Sequence, residues 1–216
     1  MSYFFTDRTG GFSSGSFESL NFAGHVGDDL ASVKANRSTL LNTQFMNQVH
    51  GDTVEVVSDY SDIDPTCDAL VTTNPDVSLA VMVADCIPLL LISDSAVAAV
   101  HVGRAGLVNG ITNKTLTVMR NLGARNIHAV LGPSICGKCY EVPIQLQAEV
   151  IAIHPDSYSI TRQSTPALDL QAGLVAQFIS QDVSFEASTV CTMENSLYFS
   201  HRRDNPTGRF VGVVKL

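Results

Sequence analysis

The chain has 216 residues, 45% of them hydrophobic, five cysteines and a formal net charge of −8. That length can bury a sizeable core, and one domain spanning 1–216 is expected. The acidic balance and the lack of a Lys/Arg cluster argue against nucleic acid as a partner, and no apolar run approaches the length of a membrane span. Met1 to Gly11 lacks an export signal and the cysteine count is odd, so a reducing, cytoplasmic setting with free thiols is expected rather than a disulfide framework.

In chain order, Tyr3 to Asp7 reads as a first strand ended by Thr9-Gly10-Gly11. Asp28-Asp29 reads as the cap of a helix that turns Leu30, Val33, Leu40 and Leu41 inward and carries Arg37. Phe45 to His50 and Thr53 to Val57 are β-rich runs around Gly51-Asp52, which reads as a hairpin with His50 at its tip. The most apolar stretch, Val77 to Val102, divides into strands Leu79 to Val83, Leu89 to Ile92 and Ala96 to Val102. Pro88 cannot extend a ladder from its nitrogen, so Ala84-Asp85-Cys86-Ile87 is expected to form a kink that lifts Cys86 out of the sheet. A helix follows from about Gly110 to Leu122 with Gly123 as its stop, then a strand Ile127 to Leu131. Helices are expected near Ile144 to Ile153 and Asp169 to Ser180, and strands near Ser188 to Thr192 and Gly208 to Val214. Several strand pairs are too close for crossovers, so a mixed α/β (α+β) sandwich with outer helices fits better than a wound parallel sheet.

Among chemical patterns, a Walker loop, a dinucleotide fingerprint, a Gly-x-Ser-x-Gly elbow and His-Glu-x-x-His are all missing, as is the His-x-Glu element of the zinc nucleobase deaminases. Cys136-Gly137-Lys138-Cys139 stays open between an incidental pair, redox thiols and metal ligands. His201-Arg202-Arg203 is a weak anion-site candidate. His50, Cys86 and His101 each follow or interrupt a strand, and two imidazoles with one thiolate would hold zinc while leaving a fourth position open. Spacing alone favours the plainer alternative of two strand-end histidines and a buried apolar thiol.

Local motifs shift that balance. Asn47-Gln48-Val49-His50-Gly51, Cys67-Asp68-Ala69-Leu70-Val71-Thr72, Ala84-Asp85-Cys86-Ile87-Pro88, Ala99-Val100-His101-Val102-Gly103, Leu131-Gly132-Pro133-Ser134-Ile135, Cys139-Tyr140-Glu141-Val142, Ser200-His201-Arg202-Arg203-Asp204 and Thr207-Gly208-Arg209 run in one order along the chain. In these motifs the chain resembles the YfiH-type family, long labelled multicopper polyphenol oxidase or laccase and more recently described as purine nucleoside phosphorylases. The resemblance implies an αββα-like sandwich and a zinc ion held by His50, Cys86 and His101. It further implies phosphorolysis of nucleosides such as adenosine and inosine to base and ribose 1-phosphate, with adenosine deamination as a second activity. The partners implied are thus a small purine nucleoside and phosphate. One departure stands in His101-Val102-Gly103-Arg104-Ala105-Gly106, where most relatives read His-Ala-Gly-Trp-Arg-Gly; an aromatic is lost and the arginine moves by one place.

Beside the ligands, Asp68 and Asp85 are candidates to orient a histidine or carry a proton, or simply to close a turn and pin the kink. Arg37, Gln48 and Arg104 are the candidates for phosphate or substrate. The sequence lacks the paired His-x-His elements of a multicopper centre, which disfavours copper oxidation. Two rival readings are a metal-free cysteine hydrolase or deamidase, with Cys86 as nucleophile and His101 or His50 as base, and a non-catalytic interaction module.

Overall fold

The apolar stretch from Val77 to Val102 becomes the middle of the molecule because its strands are covered on both faces. In a computed structural model describing residues 1–216, it forms β5 (Ser78–Val83), β6 (Ile87–Ile92) and β7 (Val97–Val102), buried throughout except at Ile92. These strands divide between two sheets. The smaller has the order β1 (Ser2–Phe5), β12 (Phe210–Lys215), β5, β2 (Thr43–Gln44). The larger has the order β11 (Ser184–Ala187), β8 (His128–Leu131), β6, β7, β4 (Ala69–Thr72), β3 (Val54–Val56). A two-stranded ribbon, β9 (Tyr158–Ile160) with β10 (Pro166–Leu168), lies apart.

Strand alternation sends one set of side chains to each face, and three apolar layers result. Leu70, Leu90, Ala99 and Val130 of the larger sheet meet Leu79, Val81, Val83 and Phe210 of the smaller between the sheets. On the outer face of the larger sheet, Val71, Leu89, Leu91 and Val100 pack with Leu107 of α2 (Arg104–Asn109), Leu116 of α3 (Ile111–Asn121) and Leu174 and Phe178 of α5 (Leu170–Ser180). Beyond the smaller sheet, Phe22, Phe45, Ala80, Met82 and Val211 form the third layer, which Arg37 of α1 (Leu30–Ser38) covers. The helix α4 (Ile144–Ile151) completes the helical side, and the whole is the mixed αββα sandwich expected. No helix is long and apolar enough to cross a membrane.

The expected kink is where the chain changes sheets. β5 ends in the smaller sheet at Val83 and β6 begins in the larger at Ile87, with Asp85 between them at φ 86°. Pro88 sits inside β6 all the same. Its carbonyl accepts from Gly132 N, so its nitrogen faces the same edge, where β8 has already ended at Leu131 and asks for no donor.

Three expectations fail. The hairpin at Gly51-Asp52 does not form, since β2 runs parallel to β5 and β3 parallel to β4, in different sheets, and Phe45 to His50 is mostly irregular. The strand near Ser188 to Thr192 lies earlier, as β11, parallel to β8. The first helix stops at Ser38, so Leu40 and Leu41 fall past it, and Leu30 (68% exposed) and Leu41 (83%) face solvent while Val33 alone of the four is buried. Its Asp29 cap is as expected, accepting from Ser32 N at 2.9 Å.

Leu90 is fully enclosed between the sheets. Leu90→Ala is expected to destabilise the fold by about 2–5 kcal/mol, read as a lower urea midpoint with an unchanged slope.

Candidate metal centre and active site

A single buried carboxylate sets two of the donors. Asp68 precedes β4 and is fully enclosed; Oδ1 accepts from His50 N at 3.0 Å and Oδ2 from Val49 N at 3.3 Å and Gly51 N at 2.6 Å. Consecutive N–H groups can converge on one anion only if the backbone curls, and His50 adopts φ 58°. The anion, not a hairpin, therefore shapes this turn. Asp68 Oδ1 also lies 2.8 Å from His101 Nδ1. Burial alone would raise the Asp68 carboxyl, but the bonds from His101 and Gly51 outweigh it and hold it below the usual carboxylate range. An ionised carboxylate only accepts, so Nδ1 of His101 carries the proton and Nε2 is the ring atom left for an ion.

Cys86 is placed by the sheet crossing. Asp85 Oδ1 accepts from Thr192 Oγ1 at 2.6 Å, Asp85 Oδ2 from Arg202 N at 2.7 Å, and the Asp85 carbonyl from Ile135 N. Both carboxylate oxygens thus pin the kink, the structural role expected of Asp85 as the alternative to carrying a proton. Asp68, by contrast, does orient a histidine.

The donor atoms of His50, Cys86 and His101 all lie within 4.8 Å of one another, and the two imidazoles meet edge to face with ring centres 4.7 Å apart. Gly103 makes room for them: a methyl there would come 3.1 Å from Cys86 Sγ and 3.3 Å from His50 Cδ2. Two nitrogens, one sulfur, a carboxylate behind one imidazole and a clear space beside them suit a borderline-soft divalent cation. Burial pushes the Cys86 thiol up, but the charge and hydrogen bond of His101, with those of His50, prevail and bring it down to about 6. Burial pushes His101 down, and the charge of Cys86 with the Asp68 bond raises it to about 9. The ion-free pair is therefore thiolate and imidazolium at neutral pH.

These residues open into a cavity of about 400 Å³ whose apolar and basic walls suit a small organic anion. Its basic lining is Arg104, Arg202 and Arg209, and none of the three forms an ion pair with a carboxylate. Arg209 donates to Thr207 O and Gly208 O, and Arg202 to Glu141 O while stacking 5.2 Å over Tyr140. Tyr140 lines the cavity too, so an aromatic wall exists although the tryptophan of relatives is missing. Burial and then the charge of Cys86 raise its phenol, which stays protonated. His25, also in the lining, is held below the usual imidazole range by burial, Arg209 and Arg37.

Of the substrate candidates, Arg104 lines the cavity. Arg37 is outside this cavity and spoken for: Nε donates to Phe22 O at 2.8 Å and Nη1 pairs with Asp64 at 2.8 Å. Gln48 lines the cavity, but its amide exchanges both hydrogen bonds with the Met82 backbone, at 2.7 and 2.8 Å, and so extends the edge of β5. Arg203 is likewise turned away, onto Asp204 and the carbonyls of Thr192 and Tyr198. His25, Tyr140 and Arg209 escaped the sequence reading as site residues, though the last two stand in quoted motifs.

The sequence model of the family described as multi-copper polyphenol oxidoreductase laccase matches residues 2–216. The chain belongs to that family. Crystal structures of a Neisseria meningitidis protein and of the hypothetical protein YfiH from Bacillus licheniformis are similar to it in fold. The first has a TM-score of 0.91 at 30% identity, covering 99% of this chain and 93% of that one; the second has 0.90 at 29%, covering 98% and 91%. A purine nucleoside phosphorylase of Mycobacterium tuberculosis is 44% identical over 97% of this chain and 89% of its own length. Another from Streptomyces coelicolor is 44% identical over 98% and 94%. The family is thus the YfiH-type one that the motifs resemble, and its relatives under the phosphorylase name support an enzyme.

In chelated protein, Cys86 is expected to be alkylated by iodoacetamide at a rate that is constant above neutrality and falls below about pH 6. Cys67, whose thiol burial pushes up to about 12, is expected to stay unlabelled. In His101→Gln the inflection is expected to move up, because burial is then opposed by His50 alone. An inflection that stays put in the variant would show that His101 does not set it.

Proposed function

We propose that this protein is a zinc-dependent purine nucleoside phosphorylase with adenosine deamination as a second activity. The observation that carries the reading is the adjacency of a His-His-Cys donor set to three arginines without carboxylate partners, in one cavity. The relatives named as purine nucleoside phosphorylases supply the substrate class. His50, Cys86 and His101 would hold the ion, and when bound it supplies a Lewis acid.

Phosphorolysis joins a phosphate oxygen to the sugar carbon as the bond from that carbon to the base nitrogen breaks, so it needs a held phosphate and relief of charge on the departing base. Arg104, Arg202 and Arg209 are the phosphate-holding candidates, since guanidinium groups lacking an internal counter-ion recruit an oxyanion. Tyr140 stacks beside them and keeps its phenolic proton, which makes Oη a donor toward the leaving base. The donor set also resembles that of blue copper sites, which add an axial Met. Met82 lines the cavity, but its sulfur is engaged 3.5 Å from Arg37 Nη2, and the wide cavity suits substrate rather than electron transfer. The reducing, cytoplasmic setting inferred from the cysteines agrees with the free thiols and the soft donor set.

The rival reading, a metal-free thiol enzyme, draws on the low-lying Cys86 thiol beside a protonated His101. Metal analysis with chromatography of products from inosine or adenosine plus phosphate separates the two. Wild type is expected to carry zinc and release base and ribose 1-phosphate, and Cys86→Ala to lose the ion of this centre and the turnover while keeping its circular dichroism. Turnover that survives chelation but ends on alkylation of Cys86 would replace the phosphorylase reading with the thiol one. Arg104→Gln is expected to raise the KM for phosphate about ten- to hundredfold, with zinc content unchanged.

A further inference from the structure

On the far side of the Asp85 kink, residues that the proposed reaction does not use converge into a second donor cluster. We propose that Cys136, Cys139, Cys191 and Glu194 form a separate structural site for a thiophilic divalent cation, zinc. One donor atom from each lies within 4.8 Å of the others. A tetrahedral zinc with sulfur at about 2.3 Å separates its donors by about 3.8 Å, so a small contraction closes the cluster. Unlike the His50, Cys86 and His101 group, this one offers four protein donors and needs no solvent in its coordination, which is the mark of a structural site.

The sequence repeats itself at this place. Cys136-x-x-Cys139 and Cys191-x-x-Glu194 have the same spacing, and their backbones turn alike: N–H of Cys139 and Tyr140 bond Cys136 O, and N–H of Glu194 and Asn195 bond Cys191 O. Two such turns facing each other bring four donors to a common point. The turns are joined by the bridge of Ser134 with Cys191, and Cys136 N donates to Cys191 Sγ at 3.3 Å, the kind of bond that steadies a thiolate. Three thiolates and a carboxylate around a divalent ion leave an excess of negative charge, and Arg162, bonded to both Glu194 and Cys139, supplies the counter-charge. Burial raises the Cys136 and Cys139 thiols, with hydrogen bonds to Cys191 and Glu194 adding to it, and each of these two gives up its proton as the cation binds. The same protonation makes them poor attacking groups for a redox pair.

Such an ion would staple the loops after β8 and β11, and these loops form cavity wall. Ile135 and Tyr140 line the cavity from the first loop, while Thr192 of the second holds Asp85 beside Cys86.

Plasma mass spectrometry of protein made in zinc-supplemented medium tests this. Two equivalents of zinc per chain are expected in wild type, one in Cys139→Ser/Glu194→Gln and one in Cys86→Ala. Equal zinc in wild type and the double variant overturns the second site; equal zinc in wild type and Cys86→Ala overturns the first and leaves the second standing. Should the double variant fail to fold, the wild-type chain still decides. Mapped alkylation is expected to find Cys136, Cys139 and Cys191 protected in zinc-replete protein and reactive after chelation. Equal reactivity in both states, or a Cys136–Cys139 disulfide in zinc-replete protein, overturns the proposal.

Discussion

The carboxylate of Asp68 is the constraint on which the candidate centre turns. It is fully buried yet ionised, because three backbone N–H groups and one imidazole N–H surround it. A buried charge is tolerated only when so surrounded, and the same bonds act as instructions to the chain. Curling Val49, His50 and Gly51 around the anion projects the His50 ring, and fixing the His101 proton on Nδ1 leaves Nε2 facing Cys86. One residue thus orders two of the three donors, and any group that neutralises or shortens it disturbs both.

The third donor is placed by topology. In the antiparallel pair of β6 and β7, Pro88 lies opposite His101 and Ile87 opposite Val102. Cys86, one residue before the ladder starts, is therefore beside the histidine by register alone. The chain reaches that point by leaving the smaller sheet at Val83, so the site sits where the two sheets part. There the packed layer between them gives way to a cavity instead of side chains. Asp85 performs for Cys86 the service that Asp68 performs for the histidines, tying the crossing to Thr192, Arg202 and Ile135.

Features governed by local rules were legible in the sequence. The apolar stretch, the kink before Pro88, the Asp29 cap and the stop at Gly123, with φ 93°, follow from side-chain and backbone preferences within a few residues. What depended on distant partners was not. Gly51-Asp52 carries a hairpin signal, but a carboxylate many residues ahead supplies the bonds that a hairpin partner would have supplied. Gln48 and Arg37 offered the right chemistry for a substrate, and the Met82 backbone, Phe22 O and Asp64 had already claimed it. Polar side chains can be assigned to ligands only after their internal partners are known. Tyr140 shows the converse: the aromatic expected after His101 is absent, and a different loop provides a ring.

The net charge illustrates the same limit at the scale of the whole molecule. A balance of −8 argues against a polyanion binding over a broad surface, and it says nothing of a cleft. Three arginines gather in the cavity although no two of them are neighbours in the chain; Arg202 and Arg209 lie against backbone carbonyls, Arg202 also over an aromatic face, and none of the three pairs with a carboxylate. Carbonyl oxygens orient a guanidinium without cancelling its charge, so the cavity keeps a positive potential inside an acidic protein. The Cys86 thiolate lies within the same field. Where cation and thiolate share one pocket, an anionic ligand meets attraction at the arginines and repulsion at the sulfur, unless a divalent ion has neutralised the sulfur first. A divalent ion at the sulfur and an oxyanion at the arginines would thereby each make the other's place electrostatically more favourable.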